Sequence, residues 1–556
     1  MSYSIEIDER RLVAAVGDAH GLWFRLRLLS SLDTMHGPDE TLGDPEVRQV
    51  ANRVEVRAAS SRWHERTTVL ELFDDRIELR TTVRGIGRLL TAHLLGGHRP
   101  PSGFLPTGSA LHTVFSPNPD HPRRVERPAG EPAVIGVVGD GAEPGVGRWL
   151  FAPAPWCLAG RRERGDWVAL GLAAPVDEQN FTSMHYTGGT DGFSVRLDYE
   201  GHTIVDGEFS TPTLVIQFGH EDAQAALRAH RDLLVERDLA PEPGSVRREW
   251  LEPMFCGWGA QHHLAQRTDR STKDFCTQVN YDRFLGHLAE HGVVPGTVVV
   301  DDKWAQRYAT CFPDRAKWPD LAGWISRRHE ADQRVLLWWK AWDPEGAPPE
   351  ACVTAPDGTP VAIDPEHPTG RAVVTDAVER MIGELGADGL KVDFLARTPS
   401  GTSLLHAGSR WGAALLHELL ALVYDTAKRV RRDALIVTHT PNPAFADVTD
   451  MIRLNDIRML DAVDPEGPVV EHMRYRASVV AAACPGVPVD TDGWCLPNRA
   501  EWVSYLRIQP ELGVPALYYA THVDLSGEEL SGADLREVAG VWAAYRRTLD
   551  EAPPAA

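Results

Sequence analysis

The sequence has few cysteines, no long apolar run and no excess of basic residues, and each shortage excludes a class of protein. Its seven cysteines form no CxxC pair, so we expect free, mostly buried thiols and neither a disulfide framework nor a zinc knuckle. No segment approaches the roughly 18 consecutive apolar residues of a membrane span, and MSYSIEIDER has no apolar run behind a basic start. We therefore expect a cytoplasmic protein with no membrane partner.

The charge balance restricts the partners further. The chain has 57 basic and 79 acidic residues, which gives a formal net charge of −22. Such an acidic chain disfavours binding to nucleic acid or to anionic lipid through bulk charge. A neutral or cationic small ligand is the easier partner to accommodate.

The length and a change of pattern along the chain predict more than one domain. At 556 residues the chain is too long for one ordinary hydrophobic core. Up to residue 220, apolar and polar residues alternate, as in RIELRTTVRG and GFSVRLDYEG, which predicts strands with one buried face. These runs predict an N-terminal antiparallel β-sandwich over 1–220. The amphipathic segment EDAQAALRAHRDLLVERD, followed by APEPGS, predicts a helical linker over 221–249.

From residue 250 the pattern becomes strand, loop and helix in repetition. Eight segments are predicted strands: EPMFCGWGAQ, TVVVDDKW, RVLLWWKAW, DGLKVDFL, ALIVTHT, DMIRLND, VPVDTDGW and PALYYATHV. Helix-forming segments separate most of them, but PNPAFADV, between the fifth and the sixth, is long enough only for a turn. The pattern predicts a (β/α)8 TIM barrel over 250–550, in preference to a doubly wound sheet, and a disordered tail over 551–556.

Active sites of such barrels lie at the C-terminal ends of the strands, and at those ends this sequence is rich in carboxylates. The polar residues at the ends of the second, fourth, sixth and seventh strands are Asp301 and Asp302; Lys391 and Asp393; Arg453, Asn455 and Asp456; and Asp490 and Asp492. The accompanying tryptophans are Trp258, Trp304, Trp338, Trp339 and Trp342. Carboxylates that accept hydroxyl hydrogen bonds, beside indoles that cover C–H bonds, are typical of a sugar site.

Two mechanisms can use these carboxylates. In the first, Asp393 attacks an anomeric carbon, while Asp456 protonates the leaving oxygen and then activates water. Lys391 shares a strand face with Asp393 and would keep that carboxylate ionised. In the second, carboxylates from several strands hold a divalent metal, but Lys391 and Arg453 would repel a cation. We therefore expect neither a metal nor a cofactor.

The motifs VVVDDKW, GLKVDFL and MIRLNDI, on the second, fourth and sixth strands, resemble glycoside hydrolase clan D, the retaining α-galactosidases of families 27 and 36. Family 36 also places a β-sandwich before its barrel. The resemblance implies that Asp301 and Asp302 bind sugar hydroxyls. It also implies that Asp393 is the nucleophile, that Arg453 binds substrate and that Asp456 is the acid/base. KVDF resembles the α-glucosidases and α-xylosidases of family 31 as well.

The function that this resemblance implies is a retaining exo-α-glycosidase, α-galactosidase-like, acting on a terminal α-linked sugar of an oligosaccharide or small glycoside. An α-glucosidase, an α-xylosidase or a transglycosylating enzyme with the same two aspartates stays open, because Lys303 replaces the family's glycine before the tryptophan. A non-catalytic carbohydrate-binding protein and a metal-dependent barrel enzyme are further alternatives. Homo-oligomers are common in family 36, so we also consider one here.

Other strand-end residues have a structural alternative beside the functional one. His439, at the end of the fifth strand, is explained equally well as a substrate ligand or as a buried rim histidine. Asp490 and Asp492 share a strand face and either bind a hydroxyl or cap the next helix. Trp338 and Trp339 point to opposite sides, so only one faces the lumen, and we take Trp339 as that residue.

Overall fold

A computed structural model describes residues 3–118, 125–139, 151–457 and 469–551 of the chain. Within these ranges, antiparallel N-terminal sheets are followed by a barrel of eight parallel strands. The predicted fold class, a β-sandwich followed by a (β/α)8 barrel, is therefore confirmed. The domain boundaries placed near residues 220 and 250 stay a prediction.

Most of the described N-terminal residues lie in strands. The strands are β1 (Ser4–Asp8), β2 (Val13–Asp18), β3 (Gly21–Arg27), β4 (Ser31–Thr34), β5 (Thr41–Val50), β6 (Arg53–Ser60), β7 (Glu65–Leu72), β8 (Arg76–His93), β9 (Gly96–Arg99), β10 (Gly103–Pro106), β11 (Gly108–Ser109), β12 (Thr113–Phe115), β13 (Glu126–Pro128), β14 (Ala133–Val137), β15 (Cys157–Arg161), β16 (Trp167–Ala173), β17 (Ser183–Gly189), β18 (Gly192–Ser210) and β19 (Thr213–His220). Buried and less buried side chains alternate along β7, as the sequence pattern predicts.

Three sheets result from this set. Strands β4–β8 and β12–β19 form one sheet of 13 strands, and β1, β2, β3 and β11 form a sheet of four. The two-stranded hairpin β9–β10 lies beside β3, β4 and β5. The long strands β8 and β18 pair antiparallel over most of their length, with one register shift between Asp198 and Thr203. These two strands lie next to each other in the middle of the large sheet.

The barrel strands all lie within the eight predicted segments. They are β20 (Met254–Cys256), β21 (Thr297–Val300), β22 (Arg334–Trp339), β25 (Gly389–Val392), β26 (Leu435–Thr438), β27 (Met451–Arg453), β28 (Val489–Asp490) and β29 (Ala516–Leu517). A small hairpin, β23 (Cys352–Thr354) and β24 (Pro360–Ile363), follows β22. The barrel strands are hydrogen-bonded in the order β28-β27-β26-β25-β22-β21-β20-β29. A bridge between Asp490 and Val514 closes the circle.

Helices surround the barrel. They are α1 (Ala223–Glu236), α2 (Trp258–Ala265), α3 (Gln278–Glu290), α4 (Leu321–Glu330), α5 (Pro368–Val378) with a π-helical continuation Glu379–Glu384, α6 (Gly412–Val430), α7 (Val469–Ala483), α8 (Arg499–Leu512) and α9 (Gly532–Glu551). The short 3-10 helices are Val176–Glu178, Arg248–Leu251, Thr272–Phe275, Pro349–Ala351 and Pro443–Phe445. The last of these is the turn predicted from PNPAFADV. Helix α9 ends at Glu551, and the remaining residues of the predicted tail, 552–556, lie outside the described residues.

The β-sandwich packs against the loops at the C-terminal ends of the barrel strands. After β26, Asn442 donates a side-chain hydrogen bond to the carbonyl of Ala154 at 2.8 Å. After β25, the Ser400 hydroxyl donates to Glu200 at 2.6 Å. Helix α1, predicted as a linker, packs on β16 and on α7 and so contacts both parts of the chain. The sandwich therefore supports the loops that follow the fourth and fifth barrel strands.

The cysteines and the helices agree with the composition. All seven cysteines are buried thiols and none forms a disulfide, which confirms the prediction. Among the helices in the described ranges, none combines the length and the apolar character that a membrane crossing needs.

Candidate active site

The residues that follow β25, β27 and β28 meet around one buried guanidinium, that of Arg453, whose side chain is 2% exposed. Its Nη2 donates to Oδ1 of Asp393 at 2.8 Å. Its Nη1 donates to Asp456 at 3.1 Å and to Asp492 at 2.7 Å. Burial lowers the pKa of Arg453, but the three aspartates outweigh burial and hold that pKa well above its usual value. A fixed cation therefore links three of the predicted site carboxylates.

Asp393 follows β25 directly, and its side chain is 15% exposed. Its Oδ1 accepts hydrogen bonds from Arg453 and from the backbone N–H of Phe394, and its Oδ2 accepts one from Nε1 of Trp338 at 3.0 Å. Burial acts to raise the pKa of Asp393, but the positive charges of Arg453 and Lys391 hold it well below its usual range. This carboxylate is therefore ionised at neutral pH and held in one orientation.

Asp456 is the most exposed of the three aspartates around Arg453, with 30% of its side chain accessible. Partial burial raises the pKa of Asp456 to about 7, against the charge of Arg453 and with help from Asp492 and Asp393. A carboxyl with this pKa gives up and takes back a proton near neutral pH. The site thus pairs one carboxylate that stays ionised with another that carries a proton, which is the division of roles that acid–base catalysis uses.

Lys391 forms its ion pair with Asp301, so its effect on Asp393 is exerted at longer range than strand alternation suggested. The Lys391 Nζ donates to Oδ2 of Asp301 at 2.9 Å. The Tyr518 hydroxyl lies 3.4 Å and the Cys256 sulfur 3.7 Å from the same nitrogen. Burial lowers the pKa of Lys391, but Asp301 outweighs burial and keeps that pKa above its usual value. Lys391 therefore keeps its positive charge at neutral pH.

The pairing of Lys391 with Asp301 is explained by the layers of side chains that fill the interior of a (β/α)8 barrel. Inward side chains of alternate strands form one layer in a (β/α)8 barrel. Here the second, fourth, sixth and eighth strands contribute Asp301, Lys391, Arg453 and Tyr518, which are buried to 4% exposure or less. Asp393 lies one step beyond this layer, toward the open end of the barrel.

Asp302, the second residue of the aspartate pair, binds a different set of partners. Its two oxygens accept from the Tyr308 hydroxyl at 2.8 and 3.0 Å, and the Lys273 ammonium lies 3.4 Å away. Burial raises the pKa of Asp302 to about 6, although Lys273 and Tyr308 oppose this rise. The sequence pattern does not single out Lys273 or Tyr308, because both lie in loops rather than at a strand end.

Trp338, rather than Trp339, contacts the aspartate cluster, through its hydrogen bond to Asp393. Trp339 instead donates to the backbone carbonyl of Tyr308 at 2.9 Å. Trp304 donates to the carbonyl of Trp338 at 2.8 Å and is 1% exposed. Trp304 and Trp339 therefore fix the loops of the second and third strands, while Trp338 positions a carboxylate.

Trp258 follows the first barrel strand, at the start of α2, and is partly exposed. It packs edge-on against Trp494, with ring centroids 5.9 Å apart. Trp494 donates through Nε1 to Asp524 at 2.6 Å, and His262 approaches the same oxygen at 2.8 Å. The backbone N–H of Trp494 also donates to Asp492, so the two indoles stand beside the Arg453 cluster.

His439 and Asp492 join the cluster, whereas Asp490 holds the turn beside it. His439 is fully buried, with Nε2 3.8 Å from Oδ1 of Asp393, and burial lowers its pKa to about 3. Asp492 is fully buried against Arg453. Asp490 accepts the backbone N–H of Asp492 at 2.9 Å, and burial together with the charge of Asp492 raises the pKa of Asp490 to about 6.

Three residues with left-handed backbone lie beside the carboxylates, namely Phe394 (φ 56°), Asn455 (φ 68°) and Asp492 (φ 57°). Each lies two residues beyond the end of its strand. Backbone in this region costs energy in residues other than glycine and is found where the surroundings enforce it. The regular alternation of strand side chains therefore ends before the site carboxylates. The orientation of these carboxylates is set by the local turns that follow the strands.

Arg476, on α7, is a further residue that the strand-end pattern misses. It is fully buried, and it donates hydrogen bonds to four successive backbone carbonyls, those of residues 454 to 457, at 2.7–3.2 Å. Asp456 lies within this segment, so Arg476 fixes the backbone that carries it. An arginine in a predicted helix does not reveal from the sequence whether it is buried or exposed, so no sequence signal marked Arg476.

Comparisons with known proteins find likeness in structure only. No protein-family model matches the sequence, and no curated protein matches it. A GH31 family sulfoquinovosidase from E. rectale superposes with a TM-score of 0.61 at 8% identity, covering 99% of this chain and 84% of that one. The α-galactosidase TtGalA from Thermus thermophilus gives a TM-score of 0.53 at 16% identity, covering 89% and 99%. A cycloalternan-degrading enzyme from Trueperella pyogenes gives 0.52 at 14% identity, covering 90% and 82%. The resemblance to clan D enzymes is thereby confirmed at the level of the fold.

Proposed function

We propose that this protein is a retaining α-glycosidase that uses Asp393 as nucleophile and Asp456 as acid/base. The observation that carries the proposal is the contrast between these two carboxyls on either side of Arg453. The pKa of Asp393 is held well below its usual range, while that of Asp456 is raised to about 7. A nucleophile must be ionised and a general acid must hold a proton, and the site supplies one of each.

In the first step, Oδ of Asp393 attacks the anomeric carbon and the glycosidic C–O bond breaks. Asp456 gives its proton to the departing oxygen, so the aglycone leaves as a neutral alcohol. The negative charge of Asp393 is consumed in the ester that forms. Arg453 contacts both carboxylates and can follow this redistribution of charge without moving.

In the second step, water attacks the same carbon and gives a proton to Asp456, and the ester bond to Asp393 breaks. The charge of Asp393 is one of the causes that raise the pKa of Asp456, so formation of the ester lowers that pKa. Asp456 is therefore protonated before the first step, as a general acid must be, and more readily ionised in the second, as a general base must be. Two inversions at one carbon retain its configuration.

The substrate class follows from the neighbouring aspartates and from the fold. Asp301 and Asp302 resemble the hydroxyl-binding pair of α-galactosidases, which favours a terminal α-galactoside of a small oligosaccharide. An α-glucoside or α-xyloside is the second candidate, because the fold is shared with a GH31 family sulfoquinovosidase as well as with an α-galactosidase. Transglycosylation, with an alcohol in place of water, uses the same residues.

A divalent metal at this site is a weaker proposal. Asp393, Asp456 and Asp492 already share the guanidinium of Arg453, and Asp301 shares the ammonium of Lys391. A metal bound by these carboxylates would have to displace a buried cation or lie beside it. The charge pattern therefore favours catalysis by the carboxylates themselves.

The direct test is hydrolysis of a panel of p-nitrophenyl α- and β-glycosides, with and without EDTA, followed by proton NMR of the first product. We expect one α-glycoside to be cleaved, chelator to have no effect, and the α-anomer to appear first. Asp425→Asn, an exposed position on α6, is the matched control variant. Loss of activity with EDTA, or release of the β-anomer first, would reject the two-aspartate retaining mechanism.

The pH dependence of kcat/KM reports the protonation of Asp456. The reactive free enzyme needs Asp393 ionised and Asp456 protonated, so kcat/KM should fall as pH rises through about 7. Because the pKa of Asp393 is held low, that residue causes no fall on the acid side down to about pH 4. In Asp456→Asn, assayed with a 2,4-dinitrophenyl glycoside, the alkaline fall should disappear. If kcat/KM of this variant still falls at alkaline pH, the fall is caused by the titration of another group.

Arg476→Lys should lower kcat on a glycoside with a poor leaving group by about 10–100-fold, because a small displacement of Asp456 is enough to slow proton transfer. A 2,4-dinitrophenyl glycoside, whose leaving group needs no proton, should lose much less. Arg474→Lys, an exposed position on the same helix, is the control. An equal loss on both substrates would show that Arg476 only stabilises the fold and does not act through Asp456.

A further inference from the structure

A second cluster of ionisable side chains lies in the β-sandwich, away from the barrel carboxylates. It consists of Asp33 on β4, His93 at the end of β8 and His98 on β9, and each of the three is partly buried. Both imidazole Nε2 atoms point at the same oxygen, Oδ2 of Asp33. The three ligand atoms lie within 4.8 Å of one another.

The three ligand atoms lie close enough together to share one metal ion, and the contact between His93 and Asp33 is a long hydrogen bond in the absence of an ion. Oδ2 of Asp33 lies 3.3 Å from Nε2 of His93 and 3.7 Å from Nε2 of His98. Hydrogen bonds between such atoms are usually about 2.7–3.2 Å long. The histidine–aspartate contact of His329 in this chain measures 2.7 Å. Ligand atoms on a tetrahedral ion about 2.0–2.1 Å away stand roughly 3.3–3.4 Å apart.

The three side chains are held in place by contacts from elsewhere in the sandwich. The other oxygen of Asp33, Oδ1, accepts the backbone N–H of Asp39 at 2.9 Å. The Phe104 ring on β10 packs against both imidazoles, at centroid distances of 5.0 Å to His93 and 5.1 Å to His98. Aromatic packing and a second hydrogen bond of this kind fix the orientation of metal ligands in proteins.

We propose that Asp33, His93 and His98 bind a divalent transition metal ion, zinc being the expected one. Two imidazole nitrogens and one carboxylate oxygen suit zinc, and the partly exposed side chains leave room for water as a fourth ligand. The ion would join the hairpin β9–β10 to β4 and β8 of the large sheet. The site is structural, so it takes no part in the chemistry assigned to Asp393 and Asp456.

The test is zinc binding by the full chain after removal of metals with chelator and dialysis. A second group, His287, Glu290 and His291 at the C-terminal end of α3, is a competing surface site, so all measurements use the background His287→Gln/His291→Gln. Calorimetric titration with Zn²⁺ should show one site in this background, and magnesium should not compete. Adding His98→Gln should weaken binding by at least about 100-fold, since loss of a ligand should cost at least as much as loss of its supporting contact.

Two readouts keep the test decisive if a variant folds poorly. In the background protein, saturating zinc should raise the unfolding temperature by a few degrees. Co²⁺ should give the visible absorption of a tetrahedral or five-coordinate site. Neither depends on activity, so failure here leaves the glycosidase proposal intact. Absence of zinc binding in the background protein, or identical affinity after His98→Gln, would show that the cluster is only a set of histidine–aspartate ion pairs.

Discussion

Asp393→Asn is expected to lower kcat on the preferred α-glycoside by on the order of 10⁴-fold or more. A neutral amide cannot form the ester to the anomeric carbon. The amide also fits poorly, because both oxygens of Asp393 face donors: Arg453 and Phe394 N–H on one side, Trp338 on the other. Circular dichroism should nevertheless show a folded protein, since this side chain keeps an exposed edge.

Asp456→Asn should behave differently, because this residue only moves protons. With a poor leaving group, the loss should be about 10²–10⁴-fold. With a 2,4-dinitrophenyl glycoside the first step needs no acid, so an initial burst of 2,4-dinitrophenolate should precede slow breakdown of the ester. The two aspartates are thereby separated by leaving-group dependence and not by the size of the loss alone.

Azide gives the sharpest distinction between the two roles. In Asp393→Gly, azide can enter the vacated space and attack the anomeric carbon directly, with one inversion, so a β-glycosyl azide should form. In Asp456→Ala, azide attacks the ester on Asp393, and two inversions give an α-glycosyl azide. Asp425→Asn should match the wild type in every assay. If Asp393→Gly gave the α-glycosyl azide and Asp456→Ala gave the β-glycosyl azide, Asp456 would be the nucleophile and Asp393 the acid/base.

The barrel was predictable from the sequence because its signals are local. Each strand is a short apolar run followed by polar residues, and helical segments separate most of the runs. The partners in the N-terminal sheet were not predictable in this way. The pairing of β8 with β18, for example, joins segments more than a hundred positions apart, and alternation shows only that each has a buried face.

The sequence predicted that certain strand-end residues lie close together, but it did not predict their contacts; their catalytic and binding roles stay a prediction. The motifs brought forward Asp393, Arg453 and Asp456, and the structure places all three in one ion-paired group. Alternation within one strand placed Lys391 beside Asp393, whereas its ion pair is with Asp301, contributed by another strand. Contacts across the lumen depend on the stagger between strands, which no single segment encodes.

Residues that act through the backbone were the hardest to identify. Arg476 contacts carbonyls, and carbonyls carry no sequence information, so its position on α7 gives no motif. The sequence did not identify Trp338 as the indole that contacts Asp393, and the placement of Trp339 toward the lumen stays a prediction. Both are buried at the end of β22, and the side that faces Asp393 is set by the barrel's closure and not by the alternation itself.

Arg453→Met is the second change with a large expected effect, because it leaves three aspartates close together without their shared cation. We expect kcat/KM to fall by at least about 10³-fold and the free energy of unfolding to fall by about 3–5 kcal/mol at pH 7. Arg453→Lys keeps the charge but loses the planar guanidinium, whose two terminal nitrogens donate to different aspartates. It should therefore lose about 10²-fold in kcat/KM, with a smaller loss of stability. Arg474→Met, an exposed position on α7, is the control.

The pH dependence of the Arg453→Met variant separates an electrostatic role from simple packing. Without the guanidinium, the strongest of the interactions that oppose burial at Asp393 is lost, so the pKa of Asp393 should rise from its low value. The residual kcat/KM should then acquire an acid limb that the wild type lacks. The stability deficit should also shrink as pH falls, because the uncompensated carboxylates take up protons in the folded state. A deficit that is equal at pH 4 and pH 7, with no new acid limb, would mean that Arg453 fills space and does not hold Asp393 ionised.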